Sequence, residues 1–276
     1  MTAPVRVANS LPLVTLALSH LAPGSDRFPE RLRAAGWERE LTVRGVLSAG
    51  PAVAVVGARA ATGVGAARAH AIGKHLAASG VHVVSGGAIG IDGAAHRGAL
   101  AGGGTTTVVL GSGIDVLYPA RHARLFDRIV EHGGALVSMF SAGLAPRPGT
   151  FLQRNPLISA LADLVVVVEA DVRSGSLSTA RAAKKQQRLV CAWPGSRGTD
   201  RLLGQGAALV ESPDDVMHAL RGAPRYPAPV ALDATAEAIR RAIAAGARDV
   251  DSVVRITGLP VRAVLRALPS IEARQS

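Results

Sequence analysis

Three short turns carry residues of the types that bind phosphate groups in proteins. The first contains Gly57, Arg59, Gly63 and Gly65, the second contains Gly86, Gly87 and Gly90, and the third contains Ser174, Gly175, Ser176 and Thr179. Each turn follows an apolar run typical of a buried strand and precedes a stretch typical of a helix. Its backbone N–H groups therefore lie at a helix N-terminus, where the positive end of the helix dipole favours an anion. The three turns together predict a phosphate-binding edge.

Basic and amide side chains are expected at the same edge. Arg59 lies at the mouth of the first turn and has the planar donor geometry that suits a phosphate. Arg154 and Asn155 follow a loop rich in glycine and proline that should reach this edge, and Lys184 adds charge near the third turn, as does Arg173. We predict that the turn amides hold phosphates, that the arginines supply charge and that the asparagine donates a hydrogen bond. For the serine turn, helix capping alone is an equally good explanation.

One pair of residues has the spacing for acid–base chemistry. Asp92 and His96 are one helical turn apart and share a helix face. A structural role is the better interpretation, because an aspartate near a helix N-terminus is stabilised by the dipole and His96 can hydrogen-bond across a loop. No serine nucleophile with an evident partner accompanies them, and no group of histidine, cysteine and carboxylate side chains has metal-ligand spacing. We therefore predict no catalytic residue, no metal site and no cofactor.

Composition limits the partners and the location. The chain has 276 residues and a formal net charge of +11, from 31 basic and 20 acidic residues. Such a charge favours a polyanionic partner, although arginine-rich codon usage explains it equally well. Aromatic residues make up 3% of the chain, so stacking of bases on many aromatic platforms is not expected. The single cysteine, Cys191, lies in a strand-like run and is expected to be a buried thiol. Because the sequence predicts neither a signal peptide nor a membrane span, and a lone cysteine fits a reducing compartment, we expect a cytoplasmic protein.

The order of the elements predicts an α/β fold. Apolar runs at 53–57, 81–86, 105–111, 134–139, 164–170 and 188–195 alternate with helical stretches, which is typical of a Rossmann-like, doubly wound parallel sheet. Residues 1–50 form a lead-in, with a weakly helical segment at 11–23, a short helix and an edge strand; Phe28 and Trp37 are expected to pack on the main sheet. The main domain covers 51–221, a proline-rich linker covers 222–233, and a small all-α domain covers 234–276. Its three helical stretches indicate a helix-turn-helix.

The chain resembles the DNA-processing protein A family, also called DprA or Smf. The matching stretches, in family order over roughly residues 28–220, are VAVVGAR, VVSGGAIGIDGAAH, TTTVVLGSGIDVLYP, FLQRNPLISAL, LVVVVEA, SGSLSTA, AWPG and GTDRLLGQGA. The resemblance implies an extended Rossmann-like domain that binds single-stranded DNA and forms a homodimer. It also implies delivery of incoming single strands to a RecA-type recombinase during natural transformation, with no catalytic activity. Many members carry a winged-helix-like domain after the Rossmann domain, and the tail here resembles a reduced form of it.

The departures from the family pattern are concentrated at the predicted site. Ile89 and Pro156 stand where the family has arginines, Met139 stands where a glutamate is common, and Asp200 stands where an asparagine is usual. Arg59, Arg154, Asn155 and the serine turn are retained. Loss of two expected arginines should weaken phosphate binding, since each charge-assisted contact is worth about 1.5–3 kcal/mol.

Three hypotheses follow. The leading one is a non-catalytic single-stranded-DNA-binding protein that protects incoming DNA and loads a recombinase. The second is a diverged Rossmann-like sensor or hydrolase of a small nucleotide, against which the region SGSLSTA counts because no glutamate follows it as in related phosphoribohydrolases. The third is a DNA-binding regulator that acts through the C-terminal helix-turn-helix, whose third helix carries Arg262 and Arg266.

Overall fold

The computed structural model describes residues 18–227 and 234–272 of the chain. The strands are β1 Leu18–Leu21, β2 Leu41–Gly45, β3 Ala52–Val56, β4 His82–Ser85, β5 Thr106–Val109, β6 Ala135–Ser138, β7 Leu164–Val167, β8 Leu189–Ala192 and β9 Ala208–Leu209. The helices of the main domain are α1 Glu30–Ala34, α2 Gly63–Ala78, α3 Ile91–Ala101, α4 Ala123–Glu131, α5 Pro148–Ala160, α6 Ser176–Lys185, α7 Arg197–Gly204 and α8 Pro213–Leu220. The tail contains α9 Ala234–Ala244, α10 Val250–Thr257 and α11 Val261–Glu272.

The strands form one nine-stranded sheet in the order β1-β2-β6-β5-β4-β3-β7-β8-β9. Strands β3 to β9 pair in parallel, and β1 and β2 add to β6 as antiparallel strands at one edge. The predicted fold class is confirmed. The strand predicted in the lead-in is β2, but β1 pairs with it and takes the edge position. The chain extends from β3 to one side and from β7 to the other, so a topological switch point lies between these two strands, where ligands bind in folds of this type.

Both faces of the central strands are covered by apolar side chains. Val53 and Val55 pack in the cluster formed with α2 and α3, whereas Ala54 and Val56 pack in the cluster that contains Phe28 of the lead-in. This alternation explains why the strand segments are continuously apolar rather than amphipathic. As predicted, Trp37 packs against the second cluster. Cys191 is fully buried, and burial raises the pKa of its thiol to about 12, so it is a packing residue.

Two local predictions were wrong. Residues 18–21 form a strand rather than part of a weak helix, because they pair with β2, while the rest of that segment, up to residue 17, lies outside the described residues. Helix α5 begins at Pro148, inside the segment predicted as a loop. A proline is favourable in the first turn of a helix, and Thr150 Oγ1 accepts a hydrogen bond from the N–H of Arg147 at 3.0 Å, which caps the helix.

The first residues of the predicted linker contact the main domain. The N–H of Leu209 donates to the carbonyl of Arg225 at 2.7 Å, and the guanidinium of Arg225 donates to Asp215 at 2.7 Å. This carboxylate also accepts from the backbone at the start of α8, and these contacts lower its pKa to about 2. Residues 228–233 lie outside the described part of the chain.

The tail has its own small apolar core. Ile239, Ala242, Val253 and Val264 are buried together, and Leu259 packs against them. Val261 was expected to join this core but is 48% exposed, because it is the first residue of α11 and faces away from the cluster. The side chains of residues 266 and 268, which were assigned to DNA contact and to helix packing, lie outside the described set.

Two buried histidines lie between the sheet and its covering helices. His82 bonds through both ring nitrogens to Thr105 and Thr107, at 2.7 and 2.8 Å. His96 Nδ1 lies 2.7 Å from Thr106 Oγ1, whose proton is donated to the carbonyl of Val83, so His96 Nδ1 is the donor. Burial lowers the pKa of His82 to about 4 and that of His96 to about 3. Both rings are therefore neutral at neutral pH.

These histidines should make the protein sensitive to acid. Their pKa is lowered from 6.5 in the folded protein, so the unfolded chain binds more protons below pH 6.5. The free energy of unfolding should have its full value above pH 6.5 and should fall towards pH 3. Each extra proton bound by the unfolded chain changes it by about 1.4 kcal/mol per pH unit. We expect His96→Leu to reduce the steepness of this loss, measured by guanidinium unfolding at pH 7, 5.5 and 4.5. An unchanged pH dependence would show that His96 is not a source of the acid sensitivity.

Candidate functional site

A cleft of about 1000 Å³ lies at the carboxyl ends of β3 and β7, at the switch point of the sheet. Ten of the residues singled out from the sequence line it: Gly57, Arg59, Asp92, Arg154, Asn155, Arg173, Ser174, Gly175, Ser176 and Thr179. They come from three βα turns and from α5, which the parallel sheet brings to one edge. The cleft is thus assembled from segments that are up to 120 residues apart in the chain.

The second turn packs closely against neighbouring parts of the protein, and the phosphate contact of Gly86, Gly87 and Gly90 stays a prediction. A Cβ on Gly86 would lie 2.5 Å from the Arg154 guanidinium, and one on Gly90, where φ is +86°, would collide with carbonyl oxygens of the first turn. The N–H of Ile91 donates to the carbonyl of Ala58 at 3.2 Å. The glycines are needed because this turn packs against the first turn and Arg154, and none of the three lines the cleft.

An internal carboxylate lies at the N-terminus of α2, and the phosphate contact of Gly63 and Gly65 stays a prediction. Thr62 donates to Glu169 through its hydroxyl at 2.6 Å and through its N–H at 3.1 Å. Gly65 is glycine because the carboxylate of Glu169 lies where a Cβ would be. The helix dipole is thus compensated from within the protein. The sequence signal for Glu169 is an acidic residue directly after the strand β7, at the same edge as the turns.

Arg154 is an organising residue rather than an exposed phosphate ligand. It is only 3% exposed, and its guanidinium donates to the carbonyl of Gly86 at 2.7 Å and to the carbonyl of Val109. Burial lowers its pKa to about 10, although nearby Asp92 opposes the shift. The side chain therefore joins α5 to the carboxyl ends of β4 and β5 and forms part of the cleft floor.

Asn155 and Lys184 also have partners within the protein, and their roles in binding stay predictions. The amide of Asn155 donates to the carbonyl of Gly175 at 3.1 Å and to Ser178 Oγ at 2.6 Å, which fixes α5 to the first turn of α6. Lys184 Nζ donates to the carbonyl of Gln205 at 3.0 Å and does not line the cleft.

The third turn presents open backbone donors to the cleft. Among residues 18–227 and 234–272, no acceptor takes the N–H of Gly175 or Ser176. The hydroxyls of Ser174 and Ser176 are 2.7 Å apart and share one hydrogen bond, which leaves them able to accept or donate to a ligand. Thr179 is 1% exposed and closes the inner end of this turn. The geometry is that of an anion-binding helix N-terminus.

Aromatic and basic side chains that the sequence reasoning did not assign complete the cleft. The Arg59 guanidinium lies 4.5 Å from the centre of the Phe151 ring, and Tyr118 packs against the same ring at 5.6 Å. Arg147 and Arg197 are exposed and line the cleft, as does Arg173, which was expected to add charge nearby. Arg147 directly precedes α5, and Arg197 follows the parallel strand β8. Position just after a parallel strand is the signal that would have indicated Arg197.

Asp92 and His96 both lie on α3, but only Asp92 lines the cleft. The Asp92 carboxylate lines the cleft floor and accepts from the N–H of Ala88 at 3.3 Å. Burial raises its pKa, with the charge of Arg154 acting in the opposite direction. His96 is bonded to Thr106 on β5, not across a loop, and does not line the cleft. In the described ranges, no group of three or more histidine, cysteine or acidic side chains could hold a metal ion.

The four positions that depart from the family pattern are structural here. Ile89 is partly buried, and Met139 is 8% exposed in the main core. Asp200 accepts from the N–H of Gly195 at 2.8 Å, which stabilises the turn before α7. Pro156 lies inside α5, and its carbonyl accepts from Gln186 at 3.0 Å. The positive charge in the cleft therefore comes from other arginines.

Fold and site together define a Rossmann-like protein with an anion-receptive cleft at the switch point of its sheet. The model of the family described as DNA recombination-mediator protein A matches residues 19–221, and that of the DprA winged helix domain matches residues 223–272. The chain belongs to this DprA/Smf family. Protein Smf of Escherichia coli is 42% identical over 212 residues, which cover 73% of this chain and 57% of the relative. The chain spans about three fifths of the length of the curated relatives it matches.

Two solved structures support the same conclusion. DNA processing protein A of Streptococcus pneumoniae has a TM-score of 0.68 and 36% identity, with 74% of each chain covered. The Helicobacter pylori protein has a TM-score of 0.67 and 28% identity, with 75% of this chain and 97% of that chain covered, and its structure is described for its single-stranded DNA binding mode. In the part of the chain that the structure describes, no helix combines the length and apolar character needed to span a bilayer.

The structural role of Arg154 can be separated from binding. We expect Arg154→Met to lower the free energy of unfolding by about 2–3 kcal/mol, because the carbonyls of Gly86 and Val109 lose a charged donor. Arg59→Gln, at an exposed position, should change it by less than about 0.5 kcal/mol. Urea unfolding of both variants measures the difference. Equal stability of Arg154→Met and the wild type would contradict the organising role.

Proposed function

We propose that this protein binds single-stranded DNA in the cleft at the switch point, without catalysing a reaction on it. The observation that carries the proposal is the combination of the open amides of Gly175 and Ser176 with an aromatic face at Phe151 and exposed guanidinium groups. The exposed arginines that line the cleft are Arg59, Arg147, Arg173 and Arg197. Backbone phosphates would bind the amides and arginines, and an unpaired base would stack on the aromatic face.

Charge in the cleft supports a polyanionic ligand. Of the carboxylates that line the cleft, Glu169 accepts from Thr62, Asp171 accepts from the N–H of Val172 at 2.7 Å, and Asp92 is buried with a raised pKa. Each is thus compensated by the protein, whereas the exposed arginines that line the cleft pair with none of these carboxylates in the described residues. Binding should depend on phosphates more than on base identity, and should weaken with salt by about 0.7 in log–log slope per phosphate neutralised.

The remaining parts of the proposal come from the family. We infer that the bound strand is passed to a RecA-type recombinase during natural transformation, that the protein acts as a homodimer and that it does so in the cytoplasm. The fold, the DprA winged helix match and the single-strand-binding neighbour support this inference.

The contribution of Arg59 can be measured directly. Arg59→Ala should lower the affinity for an oligothymidylate and reduce the magnitude of the log–log salt slope by about 0.7, because one phosphate contact is lost. Phe151→Leu should also lower affinity but leave the slope unchanged, since stacking releases no counterions. Fluorescence anisotropy at four salt concentrations provides both quantities.

The matched control for Arg59 is Arg128→Ala. Arg128 is exposed on α4, which packs on β5 and β6 at the other half of the sheet, so the net charge changes equally without touching the cleft. A slope for Arg59→Ala equal to that of the control would remove Arg59 from the interface.

A small-nucleotide hydrolase is favoured by one observation. Asp92 is a carboxyl group with a raised pKa in the floor of a cleft, a common feature of catalytic acids. Incubation with nucleoside monophosphates, followed by chromatography for free base, tests this function. Release of base that Asp92→Asn abolishes would replace the non-catalytic proposal.

The tail provides the second alternative. Arg255 and Arg262 are exposed on α10 and α11, so a duplex could bind there. Deletion of residues 223–276 distinguishes the two sites in a gel-shift assay. Single-strand binding should survive the deletion if the cleft carries it, whereas loss of all DNA binding would place the interface in the tail.

A further inference from the structure

A second basic groove lies beside the cleft, between α6 and α7. It has a volume of about 210 Å³ and is lined by Val172, Arg173, Ser174, Leu177, Arg181, Gly198, Arg201, Leu202 and Gln205. Three of these residues are arginines and none is acidic. The aliphatic side chains of Leu177 and Leu202 form the floor, and the arginines stand at its rim.

The three arginines have no partner that would explain their convergence. Arg173, Arg181 and Arg201 are exposed, and within residues 18–227 and 234–272 their side chains form no ion pair or hydrogen bond. The carboxylates nearest in sequence are engaged elsewhere, since Asp171 accepts from the N–H of Val172 and Asp200 accepts from the N–H of Gly195. Converging like charges repel one another, so the arrangement favours an anion from outside the protein.

The groove is continuous with the cleft. Arg173 and Ser174 line both, and they lie at the turn that presents the open amides of Gly175 and Ser176. Gly198 lets α7 approach this turn closely, because a Cβ there would lie 2.6 Å from the carbonyl of Ala170. A strand held at the third turn would therefore meet the arginine rim next.

We propose that this groove binds the backbone phosphates of single-stranded DNA as the strand leaves the cleft over α6 and α7. The inference rests on the proposed function and deepens it, because it names the path of the strand beyond the cleft. The guanidinium groups hold phosphates in pairs of hydrogen bonds, and the leucine floor packs against the sugars. The groove contributes only when the oligonucleotide is long enough to fill the cleft and continue past Arg173.

The experiment compares a double variant with its matched control. Arg181→Gln with Arg201→Gln removes two charges from the groove, and Arg124→Gln with Arg128→Gln removes two exposed charges from α4 on the other half of the sheet. Oligothymidylates of about 4 and about 16 nucleotides, the extremes of the site sizes seen in single-strand-binding folds, serve as probes. Affinity is measured by anisotropy over a salt series, and thermal unfolding confirms that both variants fold.

The groove variant should bind the short probe as the wild type does. For the long probe its affinity should fall at least about tenfold relative to the control, since one charged hydrogen bond alone is worth about that factor. Its salt slope should decrease in magnitude by about 1.4, for two phosphates. Arg181→Lys with Arg201→Lys should recover most of the slope, because it restores the charges.

Two results would overturn the proposal while single-strand binding itself stands. The first is a long-probe affinity of the groove variant equal to that of the control. The second is an equal loss for both probes, which would place the groove arginines at the cleft rather than beyond it. If the wild type binds neither probe, the proposed function fails, and the proposed path fails with it.

Discussion

The site depends on one buried charge. The Arg154 guanidinium joins the carbonyls of Gly86 and Val109, and so ties α5 to the ends of two parallel strands. A buried guanidinium is costly unless its donors are satisfied, and the nearby carboxylate of Asp92 offsets part of that cost. Glycine at position 86 follows from this arrangement, since any side chain would displace the arginine. The cleft floor is therefore held by contacts within the protein.

The three βα turns are similar in sequence but make different contacts. Two of them are directed inward: Glu169 fills the N-terminus of α2, and the turn at Gly90 packs against the carbonyls of Ala58 and Arg59. The turn at Gly175 remains open to the cleft. Glu169 compensates the dipole of α2 within the protein, and the turn at Gly175 presents its amides beside a rim of arginines and one aromatic face.

Part of the positive charge of the cleft comes from arginines at positions other than those that the family usually uses. Ile89 and Pro156 take the places of two arginines, whereas Arg147 and Arg197 approach the cleft from a helix start and from a neighbouring βα turn. A polyanion is bound through the number and spread of positive charges more than through any single one, so charge can move between loops while the function is kept. The groove at Arg181 extends the same surface.

The residues alone were enough to predict the fold class, the succession of strands and helices along the chain and the sheet edge at which the glycine turns meet, because apolar runs and glycine turns are local signals and parallel strands bring their carboxyl ends together. The sequence also indicated Arg59 and the turn at Ser174. Only the tertiary structure decided that Arg154 and Asn155 face inward and that Glu169 closes the first turn. Burial and partner choice depend on segments distant in the chain, as Arg154 with Gly86 shows, and no local pattern encodes them.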